Sequence, residues 1–513
     1  MGTKLYGKFV FLQVLVVAML AASICFAQVG TGRLDGGVAD TTGGVMPGAK
    51  ITATNHATQA KAETTTNADG NFVFPSLQPG FYTVSVEAKG FRTAVVDNVE
   101  INVATAVTQR FKLEVGEIAE HVQVQAEQVR VQTSEAQVGR TVTLKDIDTL
   151  PVLGRAPINL VVFSPGIQMS NPGDVTFSNV NGQRQGASNA TLDGIDVNDA
   201  VVPRLGLSMT ANNTDSVAEV HMVTTAAKAE YGRNAGGQLE LITRSGSNSF
   251  HGNLFDYLRN NDLNANSFFN NSSTPAVPVA KYIQNLFGGS VGGPVRKNKT
   301  FFFFNYQGSR ISQDVTRNRT VLTAAAKRGI FTWKTPAGVL STYDIVANDP
   351  RHVGIDPAMA AIFKVLPDPN NLNAGDTLNT AGFQFNNPAG SWNNSYTGKA
   401  DHNLTENIHL FFRYSWFRTY SIDSLNNADA TFPGFPQGNQ GGVRWGFSTG
   451  ADWAITPTLI NELRVGHQSA GVDFNRPGRL QGPTVISNLF TDPYASGFAQ
   501  GRNSPVNEVT DYP

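Results

Sequence analysis

Alternation of apolar and polar residues with a period of two is the strongest pattern in the C-terminal half of this chain. From Arg444 to Ile455, large apolar side chains alternate with polar or small ones, so the two kinds fall on opposite faces. One face carries Trp445 and Trp453, whereas the other carries Arg444 and Asp452. A strand of about ten residues with an apolar face and a polar face is typical of a transmembrane β-barrel. We therefore predict that this half of the chain contributes strands to such a barrel.

Six further segments predict strands of the same sheet. In the clearest of them, Leu410 to Tyr420, aromatic residues oppose Arg413 and Ser415. A soluble sandwich also alternates, but Arg, Lys, Asp and Glu on the polar face favour a water-filled lumen, and aromatic residues gather near strand ends. The other five segments begin at Tyr396, Leu459, Thr300, Asn253 and Gln284.

Residues 28–114 also alternate with a period of two, but their turn signals lie closer together. Ala68-Asp69-Gly70 predicts a hairpin turn, and Pro79-Gly80 predicts a second turn. The strand that begins at Tyr82 alternates apolar with polar residues, so one of its faces should be buried. A small all-β sandwich of roughly seven strands follows from this pattern.

Helix signals join the strand signals in residues 115–245. A helix is predicted over Ala156 to Phe163, because Pro165-Gly166 would end it. Ser216 with Glu219 matches a capping box. These signals together predict a mixed α+β domain. Its predicted strands are Val220 to Thr224 and Gln238 to Thr243.

The N-terminus has the pattern of a secretory signal peptide. Two lysines precede an apolar run from Phe9 to Ala22, and small residues up to Ala27 suggest cleavage there. The run is short for a membrane span, which needs about 20 residues. Cys25 is the only cysteine and lies inside this segment, so the mature chain would use no disulfide although it lies outside the reducing cytosol.

Composition and motifs exclude several classes of function. The net charge is −1 and no basic block points to nucleic acid. The histidines are scattered, no mature cysteine remains for a zinc site, and no Gly-x-Ser-x-Gly elbow is present. We therefore expect no enzyme, no cofactor and no metal. A cluster of oxygen-bearing side chains could hold Ca²⁺, but its spacing departs from the EF-hand, and a hydrogen-bonded turn is the alternative that we favour: Asp193, Asp196, Asn198 and Asp199.

The order of motifs in residues 115–245 resembles the plug domain of TonB-dependent outer-membrane receptors. Leu192-Asp193-Gly194-Ile195 is followed by Glu230-Tyr231-Gly232, and then by paired glycines at Gly236 and Gly237. A Ser-Gly-Ser-Asn turn then opens the first alternating segment, as at the junction of plug and barrel. The plug-motif residues are Arg184, Asp193, Gly194, Glu230, Tyr231, Gly232 and Arg233.

Residues 28–114 resemble the carboxypeptidase regulatory-like domain, a transthyretin- or Ig-like sandwich classed among carbohydrate-binding-like folds. This combination resembles the Oar-like branch of the receptors. The resemblance implies a multidomain chain with a plugged antiparallel transmembrane barrel of about 22 strands, whereas the alternating segments supply roughly eight strands, so the barrel is partial. We therefore expect an N-terminal fragment of a longer receptor. The implied domains are the signal peptide at 1–27, the sandwich at 28–114, the plug at 115–245 and the partial barrel at 246–513.

The resemblance also implies a function and a partner. Receptors of this type import a ligand across the outer membrane with energy from a TonB-like periplasmic protein, and here carbohydrate or peptide ligands are conceivable. Glu120, Val122 and Val124 look like the coupling box, which pairs with that protein as an added strand; an ordinary sandwich or plug strand explains the same pattern. Charged plug residues, Arg244 among them, are hypothesised to dock the plug on the barrel.

Two other functions remain open at this point. The same barrel could serve a non-transporting surface adhesin or structural protein. Alternatively, the chain could be a secreted carbohydrate-binding protein in which residues 28–114 do the work. In the receptor interpretation, the stretches 311–395 and 421–443 would be extracellular loops, and the sandwich would hang in the periplasm.

Overall fold

The computed structural model describes most of the chain as strands. It describes residues 30–116, 121–123, 137–143, 146, 158–159, 161, 164–171, 174–199, 213–227, 231–232, 235–266, 268, 271, 279–372, 374–422, 432–433, 438–456 and 459–475. Within these ranges no helix has the length and apolar character to cross a membrane. The strands form an N-terminal sandwich, a middle sheet and a C-terminal sheet.

The N-terminal sandwich consists of two sheets. In the first, β1 lies between β4 and β7; in the second, the order is β3-β2-β5-β6-β8. Alternate residues such as Val84 and Val86 point between the sheets and are fully buried, as their period of two predicts. The strands are β1 (Gly32–Asp40), β2 (Lys50–Asn55), β3 (Lys61–Thr65), β4 (Asn71–Leu77), β5 (Gly80–Glu87), β6 (Thr93–Ile101), β7 (Ala106–Leu113) and β8 (His121–Gln123).

β8 is a short edge strand that follows the sandwich proper. It pairs in parallel with β6, and Val122 lies opposite Ala94. Val122, the middle residue of the segment predicted as a coupling box, therefore joins the sandwich sheet. Glu120 and Val124 lie outside the described residues. A parallel strand at a sheet edge leaves one side of its backbone unpaired.

The middle sheet has the strand order β13-β12-β15-β14-β9. The predicted strand Gln238 to Thr243 coincides with β15, and the predicted strand Val220 to Thr224 lies within β14. A separate two-stranded sheet, β10 with β11, packs beside it. The strands are β9 (Val138–Thr143), β10 (Ile167–Asn171), β11 (Asp174–Val180), β12 (Asn189–Leu192), β13 (Ile195–Asp196), β14 (Val217–Thr225) and β15 (Gln238–Thr243).

The capping box predicted at Ser216 and Glu219 is wrong. A short 3-10 helix, Thr214–Ser216, leads directly into β14, so Glu219 lies on a strand. Val217, Val220 and Val223 explain the difference, because β-branched side chains favour extended backbone and are buried here in a two-sided sheet. The helix predicted over 156–163 lies mostly outside the described residues.

The C-terminal sheet is antiparallel, in the order β16-β17-β18-β22-β23-β24-β25. Two further strands join it: β21 pairs with the far end of β18, and β26 pairs with β24. All seven predicted segments fall on its strands. These are β16 (His251–Asn260), β17 (Tyr282–Arg296), β18 (Thr300–Leu322), β21 (Thr380–Pro388), β22 (Ser391–Asn403), β23 (Ile408–Ile422), β24 (Asn439–Thr456), β25 (Leu459–Ala470) and β26 (Asp473–Asn475).

The two faces of the C-terminal sheet differ in polarity. The inward face, which contacts the middle sheet, buries polar residues such as Asn305, Arg413 and Ser448 completely. The outward face exposes large apolar residues; Phe412 and Trp453 are 48% and 46% exposed. Buried charge and exposed aromatic groups reverse the arrangement of a water-soluble protein.

Connections at the two ends of the C-terminal sheet also differ in length. β17, β22 and β24 reach their next strands through short turns at one end. At the other end, the connection from β18 to β22 is a folded excursion rather than a loop, which corrects the prediction for residues 311–395, because β18 continues to Leu322 and pairs with β21. The excursion also contains α1 (Ala324–Lys327), β19 (Ile330–Lys334), β20 (Leu340–Asp344) and α2 (Pro357–Val365).

Candidate functional site

The contact between the middle sheet and the C-terminal sheet centres on the turn Asp193-Gly194. This turn joins β12 to β13, with Leu192 paired to Ile195. Asp193 and Gly194 have φ angles of +48° and +79°. Two consecutive positive φ angles define a type I′ turn, for which Asp-Gly is a preferred sequence. The local sequence therefore presents the Asp193 carboxylate at the tip of a tight hairpin.

The Asp193 carboxylate is anchored within the middle sheet by Thr243, the last residue of β15. The Thr243 amide donates to Asp193 Oδ1 at 2.9 Å, and the Thr243 hydroxyl donates to Oδ2 at 2.8 Å. Both residues are buried. Because β12 and β15 are parallel neighbours, the end of β15 lies beside the turn. These bonds fix the orientation of the carboxylate toward the C-terminal sheet.

Two cations on the inward face of the C-terminal sheet meet this carboxylate. Arg413 Nε on β23 lies 3.0 Å from Asp193 Oδ2, and Lys399 Nζ on β22 lies 3.8 Å from Oδ1. The Lys399 ammonium also donates to the Thr243 carbonyl at 3.1 Å. On β24, the Ser448 hydroxyl donates to the Asp193 carbonyl at 3.1 Å. Three strands of the C-terminal sheet therefore hold one turn of the middle sheet.

Burial makes this contact sensitive to the loss of either partner. The Arg413 side chain is 0% exposed and that of Asp193 is 3% exposed. Removing one member of such a pair leaves a desolvated charge and costs about 3–5 kcal/mol. The pair therefore specifies where the middle sheet docks, although its net contribution to stability is smaller than that cost.

Asparagine side chains make a second contact between the same two sheets, one with an amide and one with a carboxylate. Asn213 Nδ2 donates to Asn305 Oδ1 at 3.0 Å, and Asn253 Nδ2 donates to Asp215 Oδ1 at 2.9 Å. Asn213, Asn305 and Asp215 are all buried. Buried amide groups need such partners, so this contact fixes the start of β14 against β16 and β18.

A larger charged cluster lies on the inward face nearer the short turns. His409 lies between two carboxylates, 3.5 Å from Asp401 and 3.4 Å from Asp452. Arg464 on β25 pairs with Asp452 and lies 3.7 Å from Glu462. The cluster links four neighbouring strands, β22 to β25, on the face that the sequence predicted to line a water-filled lumen.

The N-terminal sandwich contacts this cluster directly. Gln78 Nε2 donates to Asp452 Oδ2 at 2.8 Å. The hydroxyls of Ser76 and Thr31 donate to Glu462 Oε1 at 3.4 and 3.3 Å. The sandwich therefore lies against the end of the C-terminal sheet that carries the short turns.

Glu219 connects the sandwich to the middle sheet. The Val103 amide donates to Glu219 Oε2 at 2.9 Å, beside an apolar group of Val103, Ala104 and Ile242. Burial raises the pKa of Glu219 to about 7, an effect that the Val103 hydrogen bond opposes and the nearby Glu100 reinforces. A buried carboxyl at this junction is therefore partly protonated near neutral pH.

The structure brings together only some of the residues predicted as a site. Asp193 and Gly194 form the docking turn, whereas Arg184 is exposed in a surface turn. Tyr231 and Gly232 are half-buried ahead of β15, and Glu230 and Arg233 lie outside the described residues. The Arg244 amide donates to the Ser216 carbonyl, which ties the ends of β14 and β15 together.

The partners of Asp193 were not identified from the sequence. Arg413 and Lys399 stood out only as charges on the polar face of predicted strands, without any indication of what they meet. The acidic cluster considered for Ca²⁺ is resolved as a hydrogen-bonded turn, in which Asp196 accepts from Asn198 and Asp193 from Thr243. Among the described residues no group of acidic, His or Cys side chains is arranged to hold a metal.

Two protein families match this chain. The family described as outer membrane beta barrel domain matches residues 242–508, slightly more than half of the chain. The family described as carboxypeptidase regulatory-like domain matches residues 33–114. The resemblance inferred from the motifs is thereby confirmed for both regions.

Individual proteins similar to the chain include a curated relative and solved structures. TonB-dependent transporter Oar of Myxococcus xanthus is 26% identical over 321 residues, which cover 60% of this chain and 29% of that protein. The ferric enterobactin receptor PfeA of Pseudomonas aeruginosa, in a mutant form, is 14% identical with a TM-score of 0.35, over 67% of this chain and 42% of that one. The ferric-catecholate import receptor Fiu of E. coli K12 is 11% identical with a TM-score of 0.32, over 67% of this chain and 50% of that one. The chain therefore spans half or less of the length of each of these proteins.

Proposed function

The chain belongs to the outer membrane beta barrel domain family, and from this premise we propose that it is a transporter of the TonB-dependent type that imports a ligand across the outer membrane. In this proposal residues 115–245 are the plug and residues 246–513 are part of the barrel. The naming of the relative Oar as a TonB-dependent transporter supports the proposal. A transporter needs no catalytic residue, which agrees with the expectation that the chain is not an enzyme.

The observation that carries the proposal is the docking of the Asp193 turn on the inward face of the C-terminal sheet. Arg413 and Lys399 are buried on the inward face of a sheet whose outward face is apolar, and buried cations need an anionic partner. That partner has to come from a unit inside the lumen. The middle sheet supplies that charge from within a separately folded unit. A folded unit held in a barrel by a few polar contacts is what a gated pathway requires, because those contacts can be exchanged without unfolding the barrel.

The dimensions of the outward face support a membrane-spanning role. Ile455 and Trp445 lie ten residues apart on β24 and both point outward. This interval is about 34 Å along a strand and about 26 Å along the membrane normal at a tilt of about 40°, close to the apolar band of about 25 Å in outer-membrane barrels. Short turns lie on the periplasmic side of such barrels. The sandwich, which contacts the short-turn end, would therefore be periplasmic, and ligand would arrive at the opposite end.

Energy coupling is proposed for the segment around Val122. β8 occupies the edge of the sandwich sheet, and among the described strands only β6 pairs with it, so an added strand can pair with its other side. Its position in the chain, between the sandwich and the middle sheet, would connect an attached partner to the plug. We propose a TonB-like periplasmic protein as that partner, with Glu120 and Val124 extending the paired segment.

The imported ligand is proposed to be a carbohydrate or a peptide. Uptake by cells that express the gene should be compared with uptake by a deletion strain, using panels of labelled oligosaccharides and peptides, with and without a protonophore. Transport predicts accumulation that depends on the gene and is abolished by the protonophore. A protein that only binds surfaces would support retention of label at the cell exterior that the protonophore does not change.

Substitutions at Val122 test the coupling segment separately. Val122→Pro removes a backbone donor and should abolish both cross-linking to the energising protein and protonophore-sensitive uptake. Val122→Thr keeps the donor and the β-branched shape, and it should retain both. Full uptake in the proline variant would refute coupling through this segment while leaving the transport proposal intact.

A further inference from the structure

Charged side chains on β22, β23 and β24 of the C-terminal sheet lie mostly on the inward face. Lys399, Asp401, Arg413 and Asp452 all point inward. From the short turns onward, the outward faces of these strands and of β18 carry mainly apolar, aromatic or small residues. Two successive outward rows far from the sandwich carry arginines: Arg418 on β23 in the first row and Arg310 on β18 in the second.

Both arginines flank a single indole ring. The guanidinium carbons of Arg310 and Arg418 each lie 5.8 Å from the centre of the Trp392 ring. Trp392 stacks on Tyr420 with ring centres 6.0 Å apart and planes at 14°. Arg310, Trp392 and Tyr420 line a groove of about 360 Å³ on the outward face, and Arg418 lies beside the groove, next to the Trp392 ring. Its other walls are formed by Ile283, Asn285 and Ile422.

Arg310 is held in position by the strands themselves. Its Nη1 donates to the carbonyls of Ser309 and Asn393 at 2.8 Å, and its Nη2 donates to Asn394 Oδ1 at 2.9 Å. The guanidinium is thus fixed beside the groove before any ligand arrives. Preorganised guanidinium groups bind phosphate well, since their planar fork matches its oxygens.

Among the described residues neither Arg310 nor Arg418 forms an ion pair with a carboxylate. Outward acids in this part of the sheet are Asp314, four residues after Arg310 on β18, and Asp256 on β16, which β17 separates from β18. Two like charges around one ring repel each other, and a low-dielectric membrane boundary strengthens that repulsion. An external anion would remove it.

The position of the groove limits what that anion can be. A row of aromatic residues, Tyr306, Tyr396, Trp416 and Trp445, crosses four strands on the outward face, just nearer the short turns than Arg418. Such a row marks the boundary between acyl chains and headgroups. The arginines lie beyond it, at the level of the lipid headgroups.

We propose that the groove around Trp392 binds the phosphorylated headgroup of a lipid in the external leaflet of the outer membrane. The two guanidinium groups contact the phosphate oxygens, while the indole and phenol rings and the isoleucines accept the adjoining apolar part of the lipid. This inference rests on the membrane position of the sheet and does not depend on transport, so uptake assays and lipid-binding assays can fail separately.

The test uses the protein purified from outer membranes and transferred to nanodiscs that contain a phosphorylated glycolipid or its dephosphorylated form. Native mass spectrometry should find the phosphorylated lipid retained, and the dephosphorylated lipid largely lost. Arg310→Gln with Arg418→Gln should lower retention by roughly twenty-fivefold, and Arg418→Gln alone by about fivefold, since one basic side chain near an anionic surface contributes about that preference.

Arg328→Gln with Arg351→Gln is the matched control, because it removes two arginine charges from the excursion, away from the groove. Retention in this control should equal that of the parent protein. Equal retention of both lipids, or an equal loss in the control and groove variants, would overturn the proposal. Displacement of the lipid by millimolar inorganic phosphate would overturn it as well, because it would identify a site for free anions. Heat-modifiable electrophoretic migration verifies that each variant is folded, and the single variant serves if the double one is not.

Discussion

Asp193→Asn is the sharpest test of how the middle sheet is docked. The change keeps the size of the side chain, and Asn tolerates the φ of +48° that this position requires. It removes the only charge that Arg413 and Lys399 share on the middle sheet among the described residues. Stranding the fully buried Arg413 should cost about 3–5 kcal/mol of docking free energy.

The cost can be measured as a shift of urea stability in lipid vesicles. The mature chain is expected to have no cysteine, so a cysteine placed at the exposed Arg184 would label the middle sheet specifically with a fluorophore. Unfolding of a unit of this size has a urea dependence of about 1–1.5 kcal/mol per M. Asp193→Asn should therefore lower the urea midpoint for release of the label by about 2–5 M.

Two comparison variants make the result interpretable. Asp215→Asn alters the hydrogen bond from Asn253 between the same sheets without stranding a cation, and it should shift the midpoint by about 1 M or less because an amide still accepts that hydrogen bond. Asp193→Asn combined with Arg413→Gln should recover part of the loss, since it removes the stranded cation. If Asp193→Asn and Asp215→Asn shift the midpoint equally, the ion pair does not set the docking and the reasoning is refuted.

Three further predictions concern the other contacts. The pKa of Glu219 is raised from 4.5 to about 7 in the folded protein, so the stability of the sandwich junction should be highest below pH 4.5 and should fall as the pH rises to about 7. Urea titrations across this range should show that pH dependence in the parent protein and not in Glu219→Gln. Phe412→Arg should cost about 2–4 kcal/mol of folding free energy in vesicles, because position 412 faces acyl chains. Phe331→Arg should cost far less, because Phe331 has the same 48% exposure but lies in the excursion. Equal costs would contradict the membrane assignment. Gln78→Ala should remove a hydrogen bond to a charged group worth about 1.5–3 kcal/mol, so limited proteolysis should release the sandwich faster than from the parent protein.

The strands were largely predictable because their faces meet different surroundings. On β24, lipid selects Trp445 and Trp453 on one face and the lumen selects Arg444 and Asp452 on the other, so a period of two is visible in the sequence alone. The type I′ turn was equally visible, because Asp193-Gly194 is a local signal. Local sequence therefore indicated both the strands and the hairpin that carries the docking carboxylate.

Contacts between distant segments were not predictable in this way. Nothing near Asp193 specifies that Arg413, more than 200 residues later, is its partner, since the strand register that brings them together is set by the whole sheet. Glu219 misled the local interpretation for the same reason. Its spacing from Ser216 imitates a helix cap, but packing of β14 between β9 and β15 overrides that signal.

The order of strands in the middle sheet determines how it would respond to mechanical load. β15 is central and the chain runs from it into the first strand of the C-terminal sheet, whereas β9 is an edge strand whose partner among the described strands is β14. Tension applied to the chain ahead of Gln137 would therefore peel β9 away, one bond pair at a time, while β12 and its turn stayed clamped to the wall. Such tension would open a passage beside β14 by detaching one edge strand, while the other strands of the middle sheet stay paired. β9 would pair with β14 again once the tension ceased.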